Sequence, residues 1–141
     1  YFDKKRFQER VYYFKRRGYI ETNRNKDDTL EMKLTELGKE QVAKYALGNL
    51  KIIPRETWDG IWRIVIFDVP EKLRGARDAL RNKLREIGFC ELQKSVFVFP
   101  FECRDEIDFV IEFFDLRRYV RVGLLEEIDN NLHLKKLFNL D

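Results

Sequence analysis

Residues 61–99, with the sequence IWRIVIFDVPEKLRGARDALRNKLREIGFCELQKSVFVF, decide the fold of this 141-residue chain. An apolar run predicts a strand, an amphipathic segment that stops at Gly88 predicts a helix, and two short apolar runs predict two more strands. Including the segments that follow, the predicted strands are 61–67, 89–92, 95–99 and 119–124, and the predicted helices are 73–87 and 104–114. The order strand, helix, strand, strand, helix, strand is the ferredoxin-like (βαββαβ) arrangement.

Towards the N-terminus, the chain predicts a helix, a hairpin and another helix. The first helix shows an N-cap, an apolar face, a cationic last turn that suits the helix dipole, and a stop signal. The N-cap is Asp3 and the stop signal is Gly18. The apolar face consists of Phe7, Val11 and Phe14, and the cationic last turn of Lys15, Arg16 and Arg17. Of the adjacent Tyr12 and Tyr13, we expect one to pack and one to be exposed. Strands over 19–22 and 29–34 flank a polar turn, and a helix capped by Thr35 runs over 36–47 and ends at Gly48.

This order is that of the back half of a winged helix. The runs KRRGYIET (15–22) and LEMKLTELGKE (30–40) resemble winged helix-turn-helix domains. The two helices that open such domains are missing and the chain begins with Tyr1, so we expect a fragment. The predicted class is α+β, a partial winged helix followed by a ferredoxin-like domain, with boundaries at 1–48, a linker at 49–59, and 60–141.

Charge is distributed unevenly along the chain. Residues 1–50 hold 12 Lys and Arg against 8 Asp and Glu, a net charge of +4, whereas residues 51–141 hold 16 against 17, a net charge of −1. A basic first third favours an anionic partner such as DNA. No run approaches the about 18 apolar residues of a membrane span, and two cysteines without a signal peptide favour the reducing cytoplasm.

The second domain resembles the CRISPR-associated Cas-two proteins. In those proteins a strand ends in Tyr/Phe-Asp, an Arg-rich helix ends in Gly, and Gln-x-Ser-Val-Phe opens the next strand. The matching residues are Phe67, Asp68, Arg77, Leu84, Gly88, Gln93, Ser95, Val96 and Phe97. A winged helix joined to such a domain, with Asp-Val-Pro-Glu at 68–71 and Phe-Pro at 99–100, resembles the PaaX family of transcriptional repressors. That second resemblance accounts for the whole chain.

The predicted DNA contacts lie on the first helix and at the hairpin tip. A helix fits the major groove and presents Gln or Arg to base edges, while a hairpin wing reaches phosphates. The candidates are Lys4, Lys5, Arg6, Gln8, Arg10, Arg24 and Lys26. The competing interpretation is an ordinary charged helix surface.

Asp68 is the candidate catalytic and metal-binding residue. The Cas-two resemblance implies that this Asp, one from each subunit, holds a magnesium ion for phosphodiester cleavage. The structural interpretation is that Asp68 bonds backbone amides of the following turn and caps the next helix.

Neither Cys90 nor Cys103 is expected to be a nucleophile, and His133, the only histidine, is expected at the surface.

Both faces of the first and third predicted strands are apolar, and only one face of a ferredoxin-like sheet is covered by its own helices. We expect a homodimer through the second face, with a C-terminal helix over 132–138 on the sheet edge. An RNA-binding sheet that uses Phe97 and Phe99 is a weaker alternative.

One helix carries a stripe of arginines, Arg74, Arg77, Arg81 and Arg85. We expect this stripe to be an outward solvated face or to pair with a partner subunit, rather than to follow phosphates.

The sequence therefore predicts a cytoplasmic, DNA-binding transcriptional regulator of PaaX-like type, with a Cas-two-like domain for homodimerisation. Its partners are double-stranded DNA and a second copy, with no membrane, and it requires no cofactor. The alternative is a Cas-two-like endonuclease that uses Mg²⁺ at Asp68, or a CRISPR adaptation subunit.

Overall fold

A computed structural model describes residues 3–140 of the chain. The predicted domain limits at residues 1 and 141 lie outside that range. The chain divides into two compact units between Asn49 and Leu50, which are called here the first and the second unit. Within residues 3–140, no helix is both long and apolar enough to cross a membrane.

The first unit consists of a helix, an antiparallel hairpin and a second helix. The elements are α1 (Lys4–Arg16), β1 (Ile20–Arg24), β2 (Leu30–Leu34) and α2 (Glu36–Gly48). Strands β1 and β2 pair with Ile20 opposite Leu34 and Arg24 opposite Leu30. The predicted elements are therefore present, with ends that differ by one or two residues.

Both helices of the first unit begin at the predicted caps. The Asp3 carboxylate accepts a hydrogen bond from the N–H of Arg6 at 3.1 Å, and the Thr35 hydroxyl oxygen accepts one from the N–H of Gly38 at 3.0 Å. The Thr35 hydroxyl also donates to the Gly18 carbonyl at 2.5 Å. Gly18, with a φ of 78°, ends α1 as expected, because this left-handed conformation suits glycine. Thr35 thus ties the end of α1 to the start of α2.

The second unit holds an antiparallel sheet with the strand order β4–β5–β3–β6. Its elements are β3 (Trp62–Phe67), a 3₁₀ turn (Glu71–Leu73), α3 (Arg74–Glu86), β4 (Cys90–Gln93), β5 (Val96–Phe99), α4 (Arg104–Phe113), a 3₁₀ turn (Arg117–Tyr119), β6 (Val120–Leu125) and α5 (Asn131–Leu137). The central strand β3 pairs with both β5 and β6. The α+β class with a ferredoxin-like order of elements is confirmed.

Helices α3 and α4 supply the core on one face of the sheet. On that face Val65, Phe67 and Phe97 are buried, and the Phe67 and Phe97 rings stack with centroids 5.9 Å apart. Leu80 of α3 and Ile107 of α4 are fully buried as well. The sides of α3 and α4 that pack on the sheet are the apolar sides that their amphipathic patterns predict.

The second face of the sheet is covered in part by the chain's own C-terminal helix. Trp62 and Val98 form a buried cluster with Leu134 of α5, and the Trp62 indole N–H donates to the side-chain oxygen of Asn131 at 2.8 Å. The expectation that this helix packs on the sheet edge is wrong, because a buried indole needs both apolar cover and an acceptor for its N–H. Ile66, at the other end of β3, remains 45% exposed.

A buried arginine lies within the central strand. Arg63 is 8% exposed, and its guanidinium donates to both carboxylate oxygens of Asp59 at 2.9 and 2.6 Å and to the Pro100 carbonyl at 2.8 Å. The hydrogen bond from Arg63 is the main cause that lowers the pKa of Asp59 below its usual value. A charge buried in a core strand requires such a partner.

We predict that Gly38→Ala destabilises the first unit by about 1–3 kcal/mol. A Cβ at Gly38 would collide with the carbonyl oxygen of Tyr19, whereas a Cβ at Gly48 in the same helix would meet nothing within 4 Å. Urea denaturation followed by circular dichroism measures the change. Gly48→Ala is the matched control, expected to leave the stability unchanged or to raise it by up to about 1 kcal/mol, and equal stability of the two variants would contradict the close approach.

Candidate nucleic-acid interface

Helix α1 presents a row of exposed cations. Lys4, Lys5, Arg6 and Arg10 are all exposed, as is Gln8 between them. Within residues 3–140, none of these four cations forms an ion pair with a carboxylate. The helix contains a single acidic residue, Glu9. Its outer surface is therefore a field of positive charge that the described part of the chain does not neutralise.

The last turn of α1 adds cations that the sequence assigned only to the helix dipole. Arg16 donates from Nη1 to the Tyr12 hydroxyl oxygen at 3.1 Å, and the Arg17 guanidinium lies 4.9 Å from the centroid of the Tyr13 ring. Tyr12 is 63% and Tyr13 48% exposed, so the expectation that one of them packs is wrong. The spacing Tyr-Tyr-x-x-Arg-Arg was the available signal, because residues at i and i+4 are neighbours on a helix.

The hairpin tip is less cationic than its basic residues indicate. Arg24 pairs with the Asp28 carboxylate at 2.7 Å. The Thr29 hydroxyl donates to Asp27 at 2.6 Å, and this hydrogen bond is the main cause that lowers the pKa of Asp27. Lys26 is exposed, with no ion pair to a carboxylate among the described residues. Of the two predicted contacts in the hairpin, Arg24 is neutralised locally and Lys26 is not.

The arginine stripe on α3 does not face outward as a whole. The side chains of Arg77 and Arg81 are only 24% and 14% exposed, and each pairs with a carboxylate of its own chain, Glu71 and Asp78 respectively. Arg85 pairs with Glu91 of β4 at 2.5 Å. The expectation of a solvated outward face is wrong for Arg77 and Arg81, because α3 leans these side chains over the sheet: the Arg81 guanidinium lies 5.8 Å from the Phe67 ring centroid. Arg74 and Arg85, at 73% and 48% exposed, do face solvent.

Asp68 lies exposed just beyond the end of β3. Its N–H donates to the Tyr119 carbonyl at 2.9 Å, but within residues 3–140 its carboxylate has no hydrogen-bond or ion-pair partner. The following 3₁₀ turn begins after Pro70 without a side-chain cap, so the expected capping role is wrong. In the same range no group of three or more His, Cys, Asp or Glu could hold a metal ion. The catalytic and metal-binding roles of Asp68 stay predictions.

The remaining reactive side chains behave as expected. Cys103 is buried, and burial is the main cause that raises the pKa of its thiol to about 12, while burial also raises the pKa of Cys90. A thiol that holds its proton at neutral pH is a poor nucleophile. His133 is exposed.

The weaker alternative of RNA bases stacked on Phe97 and Phe99 is wrong, because these rings are only 0% and 6% exposed.

We predict that Asp28→Asn strengthens binding to duplex DNA and steepens its salt dependence by about 0.9 in the slope of log K against log salt. The change removes the carboxylate that neutralises Arg24, and Asn tolerates the φ of 66° at this position. Fluorescence anisotropy at several salt concentrations gives the slope. Glu31→Gln, which removes an equal charge from an exposed strand position, is the control, and an equal effect of both changes would show that only net charge matters.

Comparison with known proteins places the second unit in a family. The family model described as the PaaX protein central Cas2-like domain matches residues 55–132, which is more than half of the 141 residues. A search of curated proteins returned no match. The matched range contains Asp59, Arg63 and every strand of the sheet in the second unit. The chain therefore belongs to the PaaX family, and its second unit carries the central Cas2-like domain of that family.

Proposed function

We propose that the chain is a DNA-binding transcriptional regulator of PaaX type, in which the first unit contacts double-stranded DNA and the second unit forms a homodimer. One observation carries the proposal: the cations of α1 have no carboxylate partner among the described residues. On α3 of the second unit, by contrast, every cation pairs with a carboxylate of the chain, namely Arg74, Arg77, Arg81, Lys83 and Arg85.

Unpaired cations on one helix fit a polyanionic partner. Lysine and arginine that neutralise phosphates release counterions from DNA, and this release drives binding. An α-helix also fits the major groove, where Gln8 can bond to a base edge. Lys5, Tyr12 and Arg16 recur at i, i+7 and i+11 and form one exposed stripe along α1. We therefore assign this stripe to the DNA.

The arrangement of the first unit supports a winged-helix mode of binding. Helix α1 takes the place of the recognition helix, and the β1–β2 hairpin takes the place of the wing. Lys26, at the tip of the hairpin, is the exposed and unneutralised cation that would reach a phosphate. Arg24 would do so only after release from Asp28.

The homodimer is assigned to the uncovered end of the second sheet face. Ile66, Val96 and Ile64 lie there in register with Arg121 and Gly123. Helix α5 covers only the Trp62 end of this face, and exposed apolar sheet surface favours a partner. A second copy of the chain would bring two DNA-binding units into one assembly, as palindromic operators require.

The alternative of a Cas2-like nuclease has one observation in its favour, the unpartnered Asp68 carboxylate. Magnesium prefers hard oxygen ligands and keeps several waters, so a second Asp68 from a partner copy would be needed to complete a site. The regulator proposal needs no chemistry at Asp68 and no cofactor.

We predict that Lys5→Gln lowers the slope of log K against log salt by about 0.9 for a labelled duplex of about three helical turns. The reason is the loss of one phosphate contact from the outward stripe of α1. Fluorescence anisotropy at several salt concentrations is the measurement, with the whole chain rather than an isolated unit.

Lys44→Gln is the matched control, because Lys44 is exposed on α2 and the charge change is the same. Equal slopes for both variants would contradict the assignment of α1 to the DNA. Magnesium-dependent cleavage of the duplex that disappears in Asp68→Ala would instead favour the nuclease.

We predict that Ile66→Lys converts the dimer to a monomer, because the new lysine would lie opposite Arg121 in register and two like charges on the uncovered sheet face cannot be desolvated together. Sedimentation velocity measures the mass. Leu124→Lys is the control: Leu124 is 68% exposed but lies on the opposite face of the sheet, next to Arg63 in register. A dimer that survives Ile66→Lys, or a monomeric wild type, would contradict this interface.

A further inference from the structure

We infer that Tyr12 and Tyr13 are positioning residues that hold Arg16 and Arg17 ready for DNA phosphates. This inference rests on the proposed function. It adds to the predicted contacts two arginines and two tyrosines that form i, i+4 pairs side by side at the end of α1.

Tyr12 orients Arg16 without neutralising it. The hydroxyl oxygen accepts one hydrogen bond from Nη1 of Arg16 at 3.1 Å. A guanidinium carries five N–H donors, so four remain for a phosphate. Arg16 has no carboxylate partner among residues 3–140, and it continues the outward stripe of Lys5 and Tyr12. The full positive charge of Arg16 is therefore held on the exposed stripe of α1.

Tyr13 orients Arg17 through its ring. The guanidinium lies 4.9 Å from the ring centroid, within the about 6 Å of a cation–π contact. The Phe14 ring meets Tyr13 edge-on, with centroids 5.6 Å apart and planes at 70°. This second contact fixes the ring that supports the arginine.

The contrast with Arg24 shows what the tyrosines contribute. Asp28 also fixes an arginine at i+4, but its carboxylate cancels the charge. A tyrosine leaves the charge in place and reduces the side-chain freedom that the arginine would lose on binding. The end of α1 is thus pre-organised for an anion.

The two tyrosines would act through different atoms, and this difference gives the test. Tyr12→Phe removes only the hydroxyl that Arg16 uses, and we expect about fivefold weaker binding of the labelled duplex. Tyr13→Phe keeps the ring under Arg17, and we expect binding within about twofold of wild type, whereas Tyr13→Leu removes the ring and weakens binding by about twofold to fivefold.

A double-mutant cycle separates positioning from a general structural role. Arg16→Gln lowers the salt slope by about 0.9, and in that background Tyr12→Phe has no further effect if Tyr12 acts only through Arg16. Circular dichroism confirms that each variant is folded. The same loss from Tyr12→Phe in both backgrounds would overturn the positioning role.

The outcomes also separate this inference from the proposed function. A wild-type chain with no salt-sensitive binding to the duplex overturns both. Binding that depends on Lys5 but is unchanged in Tyr12→Phe and in Tyr13→Leu overturns the positioning inference and leaves the regulator proposal standing.

Discussion

The second unit is organised by the need to cover strand β3 on both faces. Val65 and Phe67 point to helices α3 and α4, while Trp62 lies on the opposite face with Val98. Helix α5 is held against that face by Leu134 and by the hydrogen bond from the Trp62 indole to Asn131. Because α5 is short, it covers one end of the face and leaves Ile66 in contact with solvent. The surface that we assign to the dimer is the part of this face that α5 leaves uncovered.

The cations of α1 and those of α3 differ in whether a carboxylate pairs with them, and the proposed assignment of α1 to DNA depends on that difference. In the second unit even the buried Arg63 has a bidentate carboxylate partner in Asp59. In the first unit, Lys5 and Arg16 lie on an exposed helix without one among the described residues. On α3, by contrast, every cation has a carboxylate partner. A helix whose cations have no such partner is suited to a polyanion.

Local signals in the sequence were sufficient for the order of elements and for the caps at Asp3 and Thr35, because both depend on residues within one helical turn. The position of α5 on the sheet face was not predicted, since it depends on the Trp62–Asn131 contact across the unit. The pairing of Arg85 with Glu91 was missed for a similar reason: it joins a helix to the strand that follows it. On α1, the row of cations was predicted but the tyrosine–arginine pairs were not, although their i, i+4 spacing is visible in the sequence.

Hydrogen–deuterium exchange of the whole chain, with and without a duplex of mixed sequence, tests the central claim most directly. The account predicts that DNA slows exchange in α1 and in the hairpin tip around Lys26, while β3 and the segment around Asp68 exchange at the same rate in both samples. Protection centred on Asp68 and the start of α3, with α1 unchanged, would contradict the account, because the DNA would then be held by the Cas2-like unit and not by the cations of α1.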